Sequence, residues 1–375
     1  MTAGIYIHIP FCVKKCAYCD FFSFDNNKNF ESYITGLLAE LRGAAEREVI
    51  PTYFDTVYIG GGTPTALPSF LLCKILDAMR GLPLLPDAEI TVEVNPGTLD
   101  AAYLAALRAY GVNRLSIGAQ TTHSHLLHVL GRIHTREDFF ETFRAARAAG
   151  FDNINADLMF ALPKQTFSEW RETLAEIIAL SPEHISAYSL TPAEGTPLWE
   201  QLERGEVVLP GDEADREMYH YARCALADAG YIHYEISNFA QPGRESRHNV
   251  NCWTMKPYFG FGAGAHSFDG ARRWSNAENF DAYLNVGFSQ GASPPAPRGQ
   301  RPLDPEVLTP TILTEEKIIL GLRMMRGVRE DDFEVYAEQI EKLIRNGLLA
   351  RGDGRVFLTP LGMDLANCVF EEFIV

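Results

Sequence analysis

Three cysteines within eight positions are the first residues of this sequence whose types and spacing could do chemistry. Cys12, Cys16 and Cys19 lie in FCVKKCAYCDFF with the spacing CxxxCxxC. A zinc or iron centre held only by protein usually takes four ligands, so three thiolates leave one position open. An open position is typical of a metal that takes part in chemistry. The spacing predicts a four-iron cluster, and the alternatives are a chance grouping or a zinc site completed by His8 or Asp20.

The composition predicts a soluble globular protein that does not bind nucleic acid. The 375 residues include 33 Lys and Arg against 49 Asp and Glu, a formal charge of −16, which would repel a phosphate backbone. We expect a cytoplasmic location, because no export signal precedes MTAGIYIHIP and no apolar run is long enough to span a membrane. An odd total of seven cysteines does not indicate a disulfide framework, and the four outside the cluster are scattered: Cys73, Cys224, Cys252 and Cys368.

The first half of the chain alternates short β-rich runs with amphipathic helical patterns, which predicts six βα units. The strand candidates are GIYIHIP, DTVYIGGG, EITVEVNP, NRLSIGAQ, NINADLMFALP and HISAYSLTP. Helical periodicity covers residues 30–48, 68–80, 100–110, 135–149 and 168–180. Repeated βα units require a parallel sheet with right-handed crossovers, so either a partial barrel or an open doubly wound sheet fits.

Polar and glycine-rich residues stand at the carboxyl ends of these strands, where both architectures place a binding site. We expect Glu93, Gln120 and Asp157 to fall at the C-terminal ends of their strands or just beyond. The second candidate ends in IGGGTPT, where Gly61 and its neighbours leave room for a ligand to meet backbone amides and carbonyls. Taken alone, a triple glycine more often forms a tight turn, and strand-end carboxylates more often cap or close one.

The second half predicts a continuation of the core and a small C-terminal domain. A helix near 212–229 and the strand-like YIHYEISNF lead into the glycine-rich YFGFGAGAHSF. The later pattern of helix, helix, hairpin and helix predicts a winged-helix-like module, for which we favour a packing or lid role over DNA binding because the helix bases are few. The resulting division is 1–240 for the core, 241–286 for the segment completing it, 287–310 for a Pro-, Gly- and Ser-rich linker, and 311–375 for the last domain.

With these motifs in place, the sequence resembles the radical S-adenosylmethionine (SAM) family. HIPFC, CAYCDF, GGGTPT, VEVNP, SIGAQ, DLMFALPKQT and GFGAGAHS all match its pattern. The resemblance implies a partial (βα)6 TIM-type barrel, a [4Fe-4S] cluster on the three cysteines, and SAM bound to the fourth iron through its amino and carboxylate groups. It also implies a set of residues around SAM: Tyr6, Tyr18, Gly61, Gly62, Thr63, Glu93, Gln120, Arg132, Asp157 and His266.

Within that family the sequence is similar to the branch that contains oxygen-independent coproporphyrinogen III dehydrogenases and HemW-type haem chaperones. The dehydrogenase pattern has another cysteine two residues after the third, where this chain has Phe21, and an extension before the first strand, which here begins near Gly4. The chaperones show an HNxxYW motif, which here is HNVNCW. We therefore favour a haem chaperone, with radical decarboxylation of propionates by a dehydrogenase as the alternative.

The resemblance implies that His248, Asn249, Cys252 and Trp253 bind haem. Cys252 stands where the motif has Tyr, which leaves the axial ligand open between His248 and the Cys252 thiolate. A structural role for His248 and Trp253 is the alternative. The implied partners are haem and an acceptor protein, such as a membrane respiratory enzyme; the electron donor and the oligomeric state, including a homodimer, stay open.

Overall fold

Six parallel strands in sequence order form the centre of the molecule. The computed structural model describes residues 2–25, 29–45, 53–285 and 305–374. Each strand hydrogen-bonds to the next in parallel register. The strands are β1 (Thr2–Ile9), β2 (Tyr53–Gly61), β3 (Leu84–Val94), β4 (Arg114–Gln120), β5 (Ile154–Phe160) and β6 (His184–Ser189).

Helices connect these strands, and local capping defines where several of them begin. Thr135 and Thr166 each open a helix with a reciprocal capping box, which satisfies backbone N–H groups of the first turn. The five predicted helical segments are confirmed in their described parts. The helices are α1 (Phe30–Ala45), α2 (Ser69–Met79), α3 (Ala101–Ala109), α4 (Ser124–Val129), α5 (Arg136–Ala148) and α6 (Phe167–Ala179).

The sequential order of strands identifies a partial barrel and excludes the doubly wound alternative. A doubly wound sheet reverses its strand order at a switch point, whereas here β1 to β6 follow one another without reversal. Alternate residues of each strand face opposite sides. On β1, Ile5 and Ile7 are fully buried in the hydrophobic core, while Tyr6 and His8 contact polar side chains of the interior. The predicted (βα)6 barrel is confirmed.

The next part of the chain extends this sheet at both edges. Within the described residues the sheet has twelve strands in the order β12-β11-β10-β9-β1-β2-β3-β4-β5-β6-β8-β7. The added strands are β7 (Ile232–Glu235), β8 (Asn238–Ala240), β9 (Tyr258–Phe261), β10 (His266–Phe268), β11 (Arg272–Ser275) and β12 (Glu306–Val307). The added helices are α7 (Pro197–Glu203), α8 (Asp212–Asp228), α9 (Arg247–Trp253) and α10 (Phe280–Asn285).

The C-terminal domain has the predicted arrangement of helices around a small antiparallel sheet. Its strands pair in the order β13-β15-β14. It packs on the barrel through Asp364, which contacts Arg216 and His220 of α8, and through Arg323, which lies over Trp253 of α9. Its elements are α11 (Pro310–Leu322), β13 (Val328–Arg329), α12 (Ala337–Arg345), β14 (Leu349–Gly352), β15 (Arg355–Leu358), α13 (Pro360–Asp364) and α14 (Ala366–Glu371).

The predicted linker falls mainly on residues 287–304, outside the described part of the chain. Its described end contains β12, which pairs with β11 at an edge of the large sheet. None of the helices described here combines the length and apolar character that crossing a membrane requires.

Candidate functional site

A cavity of about 330 Å³ opens at the carboxyl ends of the central strands. The loop that carries the three cysteines forms one wall, and strands β2 to β6 supply the others. Its lining is Cys12, Lys14, Cys16, Tyr18, Cys19, Phe21, Tyr58, Gly61, Gly62, Thr63, Glu93, Val94, Asn95, Ser116, Gly118, Gln120, Arg132, Asp157, Met159 and Tyr188.

Backbone hydrogen bonds hold the cysteine loop against the barrel. The Cys12 amide donates to the Phe24 carbonyl at 2.8 Å, and the Ala17 amide donates to the Leu130 carbonyl at 3.0 Å. A third bond joins the Cys19 amide to the Cys16 carbonyl inside the loop. The loop therefore curls back on itself, which turns its three thiols toward one cavity.

The three thiols fit an iron-sulfur cluster better than a single zinc ion. All three are free and half-buried, and burial raises the pKa of the Cys12 and Cys19 thiols. Among the described residues, no three His, Cys, Asp or Glu side chains converge closely enough to hold one ion. In a cluster of several irons each thiolate instead binds a different iron, so the three sulfur atoms need not converge on one point.

Of the two residues proposed to complete a zinc site, Asp20 is exposed and does not line the cavity, and His8 is already engaged through both ring nitrogens. Its Nδ1 lies 2.9 Å from the Tyr6 hydroxyl and its Nε2 lies 2.7 Å from the Phe22 carbonyl oxygen. Zinc needs a free imidazole nitrogen. The donor set that remains is three thiolates, which matches a cluster with one open iron.

The glycine-rich end of β2 brings backbone directly to the cavity. Gly61 has φ +111°, and a Cβ there would lie 2.5 Å from the His8 ring. A Cβ on Gly62 would lie 2.7 Å from the Phe11 carbonyl oxygen. Side chains larger than hydrogen are therefore excluded by strain at Gly61 and by backbone contact at Gly62.

Glu93 ends β3 and points at this glycine turn. Its carboxylate accepts hydrogen bonds from the Tyr58 hydroxyl at 2.8 Å and from the Gly61 amide at 3.1 Å. Burial is the main cause that raises the pKa of Glu93 to about 7, and the nearby Asp157 adds to the rise. A cationic group bound in the cavity would favour the ionised form of Glu93.

Asp157 provides a second buried acceptor on β5. Its carboxylate accepts hydrogen bonds from the Ser116 hydroxyl at 2.9 Å and from the Asn155 amide at 2.7 Å. Burial raises the pKa of Asp157 above its ordinary value, although these hydrogen bonds oppose the rise. Two carboxylates therefore face a cavity that suits a ligand with positive charge or hydroxyl donors.

Arg132 lies between the cysteines and the strand ends. Its guanidinium donates to the Asn95 side-chain oxygen and the Gly118 carbonyl, both at 2.9 Å, and its Nη1 lies 3.6 Å from the Cys16 sulfur. A Cβ on Gly118 would come within 2.9 Å of the same guanidinium. The charge is thus fixed beside the thiols, where it suits a ligand carboxylate.

The structure gathers most of the sequence-predicted SAM residues in this cavity and leaves two outside. Tyr6 lies one layer deeper, stacked on Tyr58, and His266 is exposed on β10. Our sequence analysis missed Tyr58, Ser116 and Tyr188, although each follows the two-residue alternation of its strand. Those inside the cavity are Tyr18, Gly61, Gly62, Thr63, Glu93, Gln120, Arg132 and Asp157, together with the three cysteines.

The segment predicted to bind haem folds as α9 and places His248 inside the barrel. His248 is 6% exposed, its Nδ1 lies 3.0 Å from the Thr56 hydroxyl, and its ring stacks on Tyr58 at 5.2 Å. Glu89 accepts hydrogen bonds from the Arg247 and His248 amides at the start of the helix. Burial lowers the pKa of His248 to about 4, so the ring is neutral. In this structure His248 holds α9 at the amino-terminal end of the barrel.

The other three residues of that motif lie on the same short helix. Burial raises the pKa of the Cys252 thiol to about 12, which favours a neutral thiol. The Arg323 guanidinium covers the Trp253 ring at 4.4 Å from its centroid, and the Asn249 backbone amide donates to the hydroxyl of Ser246, which caps the start of the helix.

A second cavity of about 650 Å³ lies beside α9, at the contact with the C-terminal domain. It combines apolar surface from methionine, valine and tyrosine side chains with several charged groups. The residues that line it include Asp55, Tyr234, Arg247, Val250, Asn251, Lys256, Met324, Met325 and Arg326.

Comparisons with known proteins match almost the whole chain. The Radical SAM superfamily model matches residues 6–177, and the HemN C-terminal domain model matches residues 308–365. "Heme chaperone HemW" of Bacillus subtilis is 36% identical over 381 residues, covering 98% of each protein, and that of Escherichia coli is 39% identical over 270 residues, covering 70% of this chain and 69% of the relative. The solved structure of coproporphyrinogen III oxidase (HemN) from Escherichia coli has a TM-score of 0.83 at 23% identity, covering 99% of this chain and 90% of that one, which shows a shared fold.

Proposed function

We propose that this protein binds a [4Fe-4S] cluster, SAM and haem and passes the haem to an acceptor protein. The premise is that the chain belongs to the radical SAM superfamily and to its HemW haem chaperone family. The observation that carries the proposal is the cavity itself. It joins three free thiols, a fixed guanidinium and two buried carboxylates, while His8 is not free to complete a zinc site.

Each group in the cavity has a distinct part in binding. Cys12, Cys16 and Cys19 would hold three irons of the cluster, and a reduced cluster would supply an electron to bound SAM. Arg132 would bind the SAM carboxylate, because its guanidinium already lies beside Cys16. Glu93 would attract the positive amino group next to the backbone of Gly61.

Haem would bind beside α9, in the cavity of about 650 Å³, which lies in the usual size range of ligand sites, about 300–1,000 Å³. Val250, Met324 and Met325 offer apolar contact for the porphyrin ring. Arg247 and Arg326 offer positive charge for its propionates. His248 would contribute by holding α9 in place, since Thr56 occupies its Nδ1 and Tyr58 covers its ring.

The dehydrogenase alternative is disfavoured by Phe21. This side chain lines the cavity and is 63% exposed, at the position where the dehydrogenase pattern has a fourth cysteine. An exposed phenyl ring cannot replace a thiol in metal binding or redox chemistry.

Iron and sulfide analysis after anaerobic reconstitution tests the cluster assignment. We expect about four irons per chain and an electron paramagnetic resonance signal that changes when SAM is added. Cys16→Ala should lose the cluster, whereas Cys224→Ala is a matched control because Cys224 is an exposed residue of α8. A full cluster in the Cys16 variant, or bound zinc instead of iron, would refute the assignment.

A haem titration followed by a turnover assay separates the two functions. We expect a Soret band that saturates with added haem, and no product when the reduced protein is incubated with SAM and coproporphyrinogen III. Arg326→Ala should weaken haem binding, because Arg326 lines the cavity, whereas Arg244→Ala should not, because Arg244 pairs with Asp152 outside it. Formation of the decarboxylated product would instead assign the dehydrogenase activity.

A further inference from the structure

Arg114 is a buried charge that neither the cluster nor the haem segment accounts for. It begins β4, is 2% exposed, and is among the largest fully enclosed side chains of the described residues. Its guanidinium makes no hydrogen bond or ion pair within the described part of the chain, and its Nε is a buried atom without a partner. A buried charge without direct partners is costly unless other charges compensate for it.

The position of Arg114 in the sheet places it in the layer beneath the cavity. In the β3–β4 register Arg114 is paired with Thr91. Two residues further along both strands, toward the cavity, Ser116 is paired with Glu93. Because strand side chains alternate, Thr91 and Glu93 face the same side of β3, as Arg114 and Ser116 do on β4. Ser116 in turn donates to Asp157 at 2.9 Å.

The half-buried carboxylates of Glu93 and Asp157 therefore lie one layer above the buried Arg114 guanidinium. The positive charge of Arg114 acts on both, and in each case it opposes the effect of burial on the carboxyl pKa. Other ionisable groups also face this interior. Burial lowers the pKa of His184 and His248 and raises the pKa of Tyr6, Tyr58, Tyr188 and Tyr234, which favours their neutral forms. Glu89 lies two residues before Thr91 on β3 and accepts from the Arg247 and His248 amides, and Glu235 pairs with Arg323.

We propose that Arg114 is a positioning residue for the SAM cavity, whose buried positive charge favours the carboxylate forms of Glu93 and Asp157 that a cationic ligand needs. The inference deepens the proposed function and rests on SAM binding.

The consequence is a pH dependence of SAM binding. Below the pKa of Glu93, about 7, the carboxyl is protonated in the empty cavity and must lose its proton when a cation binds. Affinity should therefore rise with pH through this range. Removing the Arg114 charge should move the rise upward by about one pH unit, which equals about tenfold weaker binding on the acid side.

Isothermal titration calorimetry of SAM binding to the anaerobically reconstituted protein, from pH 6 to pH 9, measures this effect. We expect Arg114→Met to bind SAM about tenfold more weakly at pH 6 and about fivefold more weakly at pH 7, and to approach wild-type affinity at pH 9. Arg114→Lys keeps the charge and should retain the wild-type profile. Thr91→Val is the matched control, because it removes a buried polar atom from the same layer without changing charge. The protonation of SAM itself changes with pH in the same way for all variants, so it does not affect the comparison between them.

The outcomes distinguish this inference from the proposed function. A wild-type protein that binds no SAM at any pH overturns the proposed function. If the wild type binds SAM, an Arg114→Met profile identical to the wild type, or a Thr91→Val shift as large as that of Arg114→Met, overturns the role of the charge. If Arg114→Met does not fold, Arg114→Lys provides the test. A shift of the SAM-binding profile to higher pH in this charge-conserving variant would also overturn the role of the charge.

Discussion

Replacing Glu93 with glutamine should stabilise the empty protein above neutral pH while weakening SAM binding. Glu93 has its pKa raised from 4.5 to about 7 because the carboxylate is buried. The folded protein therefore favours the protonated acid more than the unfolded chain does. Its contribution to stability is complete below pH 4.5 and is lost as the pH rises through 7.

The size of that loss follows from the pKa difference. A rise from 4.5 to about 7 corresponds to about 3 kcal/mol, and the partial solvent exposure of Glu93 reduces this to about 2 to 3 kcal/mol. The neutral glutamine side chain of the Glu93→Gln variant lacks this penalty. Its amide oxygen can accept from the Gly61 amide while its NH2 group donates to the Tyr58 hydroxyl oxygen, so both contacts can be kept.

Urea denaturation of wild type and Glu93→Gln at pH 5 and pH 8 measures the difference. We expect the free energy of unfolding to fall less between these pH values in the variant, by about 2 kcal/mol. SAM should bind the same variant about 10- to 100-fold more weakly, because a charge-assisted contact is lost. Identical pH dependence in the two proteins would show that Glu93 is not held protonated by burial, and the reasoning would fail.

Three further substitutions test the geometry of the barrel. Gly61→Ala should abolish SAM binding in calorimetry and lower the thermal midpoint, because the added Cβ would lie 2.5 Å from the His8 ring at a positive φ; a variant that binds normally would contradict this. Thr56→Val should lower the free energy of unfolding in urea by about 1 to 3 kcal/mol, since it leaves the His248 Nδ1 without its partner, and no change would indicate that α9 is held by other contacts. Trp170→Leu should cost about 3 kcal/mol in the same assay, because the indole is fully buried, and a loss below about 1 kcal/mol would mean that the core refills the space.

Much of the barrel could be predicted because its signals are local. A helix period of 3.6 and a strand period of 2 are written in neighbouring residues, so the six βα units emerged with helix ends within about two residues where described. The cysteine cluster was equally visible, because its three thiols lie in one loop. Glu93 and Gln120 were found because parallel strands bring their carboxyl ends to a common edge, whereas Asp157, expected at a strand end, lies in the middle of β5 and reaches the same cavity from there.

The interior of the barrel could not be predicted in the same way. Arg114 sits in NRLSIGAQ as an ordinary charged residue at the start of a strand, and its burial depends on strands on both sides closing around it. Tyr58 and Tyr188 enter the cavity because curvature of the sheet turns their faces inward. His266 follows small residues that suggested a ligand site, yet β10 leaves it exposed at the edge of the sheet.

The sequence by itself determined the order of the helices and strands, the three cysteine ligands that leave one metal position open, and the carboxylate carried by β3 near its end. Each of these depends on residue spacing along one stretch of the chain. Only the tertiary structure decided that α9 packs at the amino-terminal end of the barrel. Thr56 and Glu89 are each more than 150 residues from His248 in the chain, and they meet it because barrel curvature brings β2, β3 and the later helix around one interior. Contacts between distant segments depend on how every intervening element packs, and no local pattern records that.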